Sequence, residues 1–126
     1  MPRILLADDD TDVLNFLSAA LAGEGYETLR AETSEAAMAA LRKGGVDLVV
    51  LDMGMQGLPA APAEGLKAAA PGVKVLILTG RDVRREKGLG NLRGADVFLE
   101  KGCELDQLLG TVRRILRGAS PPSPSA

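Results

Sequence analysis

The chain has no histidine and no tryptophan, one cysteine, and only 2% aromatic residues among its 126 positions. Without histidine there is no histidine-based triad, no imidazole metal ligand and no intrinsic phosphohistidine chemistry. One cysteine and no histidine leave too few soft donors for zinc. The lone Cys103 also excludes an internal disulfide framework and fits a reducing cytoplasm, the expected location. Near a helix start it reads as a small buried side chain. No apolar run approaches the ~20 residues of a membrane span, and Met1-Pro2-Arg3 runs straight into an apolar segment without a signal peptide. A net charge of -2 gives no bulk attraction to nucleic acid. Neither membrane nor nucleic acid is an expected direct partner, and chemistry falls to carboxylates, hydroxyls and lysine.

What is present is 46% hydrophobic and 25% charged, ordinary for a soluble domain whose core Leu, Val and Ala must fill. Short apolar runs alternate with helical periods. The run 3–7 is followed by Val13, Leu14, Leu17, Ala20 and Leu21 at helical spacing, stopped by Gly23 or Gly25. Residues 26–31 read as a weaker strand. Thr33 is placed to cap a helix carrying Ala37, Met38 and Leu41, closed by Gly44-Gly45. Strand 46–51 leads into a Gly- and Pro-rich loop over 53–62, a short helix near 63–70, and strand 73–79. Residues 82–93 pattern only faintly as a helix, because Gly88 and Gly90 weaken it. Strand 95–100 precedes a helix over 104–117, with Leu105, Leu108, Leu109, Val112, Ile115 and Leu116 in one stripe, stopped by Gly118. The alternation predicts one α/β domain over 1–118, with a parallel sheet covered on both faces. Residues 119–126 read as a disordered Pro/Ser tail or truncated linker.

Polar residues stand where the apolar runs stop: Asp8-Asp9 after the first, Asp52 after the third, Thr79 at the end of the fourth, Lys101 after the fifth. Open α/β sheets gather ligands beyond the carboxyl ends of their strands. Three carboxylates, a hydroxyl and an ammonium therefore converge, which suits a hard divalent cation and a phosphoryl group. Asp10 is expected to cap the first helix.

At these residues the chain resembles the receiver domain of two-component response regulators over about 3–117. That family ends its first strand in an acidic pair, its third in aspartate, its fourth in Ser or Thr and its fifth in Lys; Asp9 to Asp52 spans 43 positions and Thr79 to Lys101 spans 22. The resemblance implies a flavodoxin-like, doubly wound (βα)5 fold with sheet order 2-1-3-4-5. Mg2+ takes oxygen ligands, here from Asp9 and Asp52, from Asp8 directly or through water, and, by the resemblance, from the Gly54 carbonyl. Asp52 then accepts a phosphoryl group, with Lys101 and Thr79 contacting its oxygens. With no histidine in the chain, the donor is a histidine kinase or phosphotransfer protein. The resemblance makes Thr79 and Phe98 switch residues, against a plain core role for Phe98. It also places an effector protein on the face of the 82–93 helix, fifth strand and last helix, although Asp82 and Glu86 interrupt Arg81, Arg84, Arg85 and Lys87 and favour an ordinary solvated surface there.

Three features depart from that family. Gln56 replaces a proline and Pro59-Ala60 replace an Asp-Gly, so the loop after Asp52 takes another path. Gly102 replaces a proline after Lys101, predicting a trans bond there, since cis costs a non-proline residue ~2.5–4 kcal/mol. The 27 positions from Asp52 to Thr79 imply a trimmed third helix. A second reading is therefore a phosphorylation-independent interaction module that keeps the fold. A haloacid-dehalogenase-type phosphatase with Asp8 as nucleophile is disfavoured, because Asp12 stands where that motif wants Thr or Val and Glu104 and Asp106 fall inside the last helix. A calcium loop lacks its turn glycine at Val13, and no Gly-rich nucleotide motif exists.

Overall fold

The computed structural model describes residues 2–55, 58, 61–80 and 94–117. Five short strands form one parallel sheet: β1 (Arg3–Ala7), β2 (Glu27–Ala31), β3 (Leu48–Asp52), β4 (Lys74–Thr79) and β5 (Val97–Glu100), in the order β2-β1-β3-β4-β5. Four helices are described: α1 (Thr11–Gly23), α2 (Ser34–Arg42), α3 (Pro62–Ala69) and α4 (Leu105–Leu116). The 82–93 helix, the stop at Gly118 and the 119–126 tail lie outside the described residues. So do Gln56, Pro59-Ala60 and the basic positions Arg81, Arg84, Arg85 and Lys87.

Successive strand residues point to opposite faces, so the central strands are apolar between their ends and feed two cores. Leu5, Ala7, Val49, Leu51, Val75 and Ile77 pack with Ala37 and Leu41 of α2 and Ala63 and Leu66 of α3. Ile4, Leu6, Leu48, Val50, Leu76 and Leu78 pack on the other face with Leu14, Leu17 and Leu21 of α1 and Leu108, Leu109 and Val112 of α4. This two-sided burial explains why β1, β3 and β4 read as unbroken apolar runs rather than alternating ones.

The caps act as the sequence predicts. The Asp10 carboxylate accepts the Asp12 and Val13 N–H groups at the start of α1, and Thr33 Oγ1 accepts the Ala36 N–H at the start of α2. The third helix is short: α3 has eight residues, opens with Pro62 at its first position, and lacks a side-chain cap. Its preceding residue, Ala61, is buried and left-handed, with φ 49°. No cis peptide bond occurs among the described residues, and Gly102 sits at φ 93°. A proline ring, held near φ ~-65°, does not fit that backbone, which accounts for the glycine after Lys101.

Candidate functional site

Four strand ends build the site. Asp8 follows β1 and is held by its own N–H, which donates to the Ala31 carbonyl at the end of β2. Asp52 is the last residue of β3, beside Leu78 in the register. Thr79 closes β4 opposite Glu100, and the Lys101 N–H donates to the Thr79 carbonyl at 2.7 Å, placing the lysine at the same sheet edge. Asp8, Asp52 and Thr79 are all buried, at 2%, 2% and 0% exposure, whereas Asp9 is exposed.

The two buried carboxylates are held alike. Each has Oδ1 tied to the N–H two residues on: Asp10 N–H to Asp8 at 2.9 Å, and Gly54 N–H to Asp52 at 2.8 Å. Each turns Oδ2 toward Lys101, whose Nζ lies 2.9 Å from Asp52 Oδ2 and 3.9 Å from Asp8 Oδ2. The second distance is within ion-pair reach but too long for a hydrogen bond. A Cβ at Gly54 would lie 3.2 Å from Asp52 Oδ1, so glycine leaves that side of the carboxylate uncovered. Met53 and Met55 are buried beside it.

These contacts shift the ionisable groups. Burial, reinforced by the neighbouring Asp52 charge, pushes the Asp8 carboxyl from 3.8 up to about 6, although the Asp10 N–H and Lys101 pull the other way. Burial disfavours the Lys101 ammonium, but the hydrogen bond and charge of Asp52, with help from Asp8 and Asp9, raise its pKa overall. Burial raises the thiol of Cys103, which is half-buried against the α1–α4 core.

Among the described residues, two buried side-chain atoms have no hydrogen-bond partner: Asp8 Oδ2 and Thr79 Oγ1. A buried polar atom left unpaired costs about 1–3 kcal/mol, so both mark places where another group belongs. Asp8, Asp9 and Asp52 each offer a carboxylate oxygen, all within 4.8 Å of one another. An all-oxygen donor set with an orphaned carboxylate oxygen fits a hard divalent cation. The hydroxyl at Thr79 is a donor awaiting an acceptor.

The structure thus brings Asp8, Asp9, Asp52 and Lys101 together, holds the Gly54 N–H on the Asp52 carboxylate, and puts Thr79 directly after Leu78, the register partner of Asp52. Phe98 lies on β5 and is 40% exposed; it is not a fully buried core aromatic. Sequence reasoning missed the paired N–H donors of Asp10 and Gly54. Their only signal is the spacing of two residues after each aspartate, where a short polar side chain turns back on its own backbone.

The family model for the response regulator receiver domain matches residues 4–113. The response regulator MprA of Mycobacterium sp. (strain KMS) is 34% identical over 120 residues, covering 94% of this chain; the chain spans 52% of that relative's length. Among solved structures, a response regulator receiver domain protein from Clostridium thermocellum superposes with a TM-score of 0.83 at 25% identity, covering 94% of this chain and 96% of the other. The response regulator protein TrrA of Thermotoga maritima, in complex with Mg2+-BeF, gives 0.78 at 30% identity, covering 91% and 99%.

Proposed function

The chain belongs to the response regulator receiver domain family, and from that premise we propose that Asp52 accepts a phosphoryl group from the phosphohistidine of a histidine kinase or phosphotransfer protein. An Asp52 carboxylate oxygen attacks phosphorus in line, and the new P–O bond forms as the P–N bond to the donor imidazole breaks. The bonding electrons stay with the departing nitrogen. Lys101 Nζ, 2.9 Å from Asp52, follows the charge onto a phosphoryl oxygen as a point donor.

Asp8, Asp9, Asp52 and the Gly54 carbonyl are the residues proposed to hold Mg2+. When bound, that ion offsets the carboxylate charges and neutralises the phosphoryl oxygens. The observation that carries the reading is the pair of orphaned buried atoms, Asp8 Oδ2 and Thr79 Oγ1: one wants a cation, the other an acceptor, and a phosphorylated metal site supplies both. Drawing in Thr79 is the first move of the proposed switch. Phe98, exposed on β5, is its proposed readout, and an effector protein is proposed to meet the surface of β5 and α4. A phosphorylation-independent module is the weaker reading, because it gives those two atoms no partner.

The test is intact mass after exposure to acetyl phosphate with Mg2+. One phosphoryl adduct is expected on the unsubstituted chain and none on Asp52→Asn. No adduct on the unsubstituted chain at any Mg2+ concentration sinks the proposal.

A further inference from the structure

We propose that Asp10, which touches neither the phosphoryl group nor the metal, is a positioning residue: its helix cap aims its own N–H at Asp8 and so keeps Asp8 Oδ2 available as a metal donor. The inference rests on the Mg2+ site proposed above. It starts from the bonds that converge on this one residue. The Asp10 side chain accepts the Asp12 N–H at 2.9 Å and the Val13 N–H at 3.4 Å, and its carbonyl accepts the Leu14 N–H at 3.0 Å. With φ -97° and ψ 111°, the residue is extended where the helix behind it is not. The cap fixes this reversal, and the reversal sets the direction of the Asp10 N–H, which meets Asp8 Oδ1 at 2.9 Å.

The consequence falls on the other oxygen of Asp8. Its backbone is anchored by the bond to Ala31, and its Oδ1 is occupied by Asp10. The carboxylate therefore has little freedom to rotate, and Oδ2 stays buried, unbonded and 3.9 Å from Lys101. Freed from the Asp10 N–H, the carboxylate has an obvious alternative, to close on the ammonium and make the hydrogen bond it now lacks. Lys101 would then compete with the metal for the same oxygen. The cap of α1 thus does two jobs: it starts a helix, and it holds a ligand off its nearest cation.

Two effects of Asp10 must be separated, its hydrogen bonds and its charge, since any carboxylate near a cation site draws the cation in. Asp10→Asn and Asp10→Ala both lose the charge, but asparagine keeps the cap and alanine does not. The ratio of their Mg2+ affinities therefore reads positioning alone. The measurement is calorimetric titration of Mg2+ into the full chain, with circular dichroism melts of each variant. Loss of a group that orients a metal ligand typically weakens binding by roughly 10–100-fold. Because only orientation is lost here, about tenfold weaker binding by the alanine variant than by the asparagine variant is expected. If alanine does not fold, Asp10→Gly, tolerated at helix starts yet lacking the acceptor, is expected to bind as weakly. Equal affinity of the capping and non-capping variants overturns the assignment, as does a lower melting temperature with no change in affinity. No Mg2+ binding by the unsubstituted chain overturns the metal site itself, and this inference with it.

Discussion

Burial leaves the Asp8 carboxyl with a pKa of about 6 in the folded chain against 3.8 for the free group, so between those values the native state holds a proton that the unfolded chain has released. Stability from this group is therefore full below about pH 4 and is lost as pH rises through 6. Asp96 acts in the opposite sense. Despite its partial burial, the Lys67 ammonium at 2.9 Å and the Val75 N–H hold its pKa below 3.8, so its contribution is lost only under more acid conditions. The two windows do not overlap. In metal-free buffer the melting temperature is expected to rise as pH falls from 7 toward 5, and Asp8→Asn is expected to flatten that slope. At pH 7 the same substitution is expected to stabilise the chain by about 1–2 kcal/mol, because a neutral amide replaces a buried carboxylate whose desolvation Lys101, at 3.9 Å, only partly offsets. Denaturant titrations at pH 5 and 7 check both. A variant less stable than the parent at pH 7 contradicts the electrostatic account. At this scale the sequence showed which carboxylates stand at strand ends. It did not show that Asp8 would be the one made hard to ionise, because that depends first on burial in the folded chain and then on the charge of Asp52 arriving from 44 positions away.

Elements whose partners are local were legible, and those set by distant contacts were not. Asp10 and Thr33 mark helix starts through bonds to residues two or three positions on, and the stripe on α4 follows from helical period alone. Strand limits shifted where pairing decides them. The third strand, expected at 46–51, runs from Leu48 through Asp52 because Asp52 pairs with Leu78; β5 starts at Val97 rather than at residue 95. Nothing in the sequence marked Gly94 as an approach point, yet a Cβ there would lie 2.9 Å from the Glu64 backbone nitrogen in the first turn of α3. Together with the Lys67–Asp96 pair, this closeness ties the short α3 to the start of β5, and so links the loop that follows Asp52 to the strand that delivers Lys101. Gly94 and Gly72 have nearly the same left-handed backbone, φ 89° and 93°, but open space surrounds Gly72. Alanine at either position meets the left-handed penalty of roughly 1–2 kcal/mol. Only Gly94→Ala must also displace helix backbone, so it is expected to cost about 1–3 kcal/mol more than Gly72→Ala. Equal losses in urea unfolding would mean that α3 and β5 are not clamped there.

At the scale of the whole chain, the site exists only because the sheet does. Asp8, Asp9, Asp52 and Lys101 are scattered over most of the sequence and meet only where β1, β3 and β5 end along one edge. Two aliphatic cores with almost no aromatic content hold that edge in register: the strands are clamped between α2 and α3 on one face and α1 and α4 on the other. An unfolded chain brings no three of these carboxylates together, so a cation that needs all of them binds the native state alone. Binding of that kind raises stability by RT ln(1 + [L]/Kd), about 1.4 kcal/mol when free Mg2+ is ten times Kd. For a chain of this size that corresponds to a rise in Tm of about 4–6 °C. Metal removal with a chelator is expected to return the melt to its starting point, and Asp52→Asn is expected to remove most of the rise while leaving the metal-free melt cooperative. The pH dependence should reverse as well. At the proposed site Mg2+ needs Asp8 ionised, so the gain from the ion is expected to grow from pH 5 to 7 across the interval in which the metal-free chain loses stability. Calorimetric melts with and without Mg2+ at those two pH values test this directly, and a gain independent of pH would remove Asp8 from the metal site while leaving Asp9 and Asp52 in it.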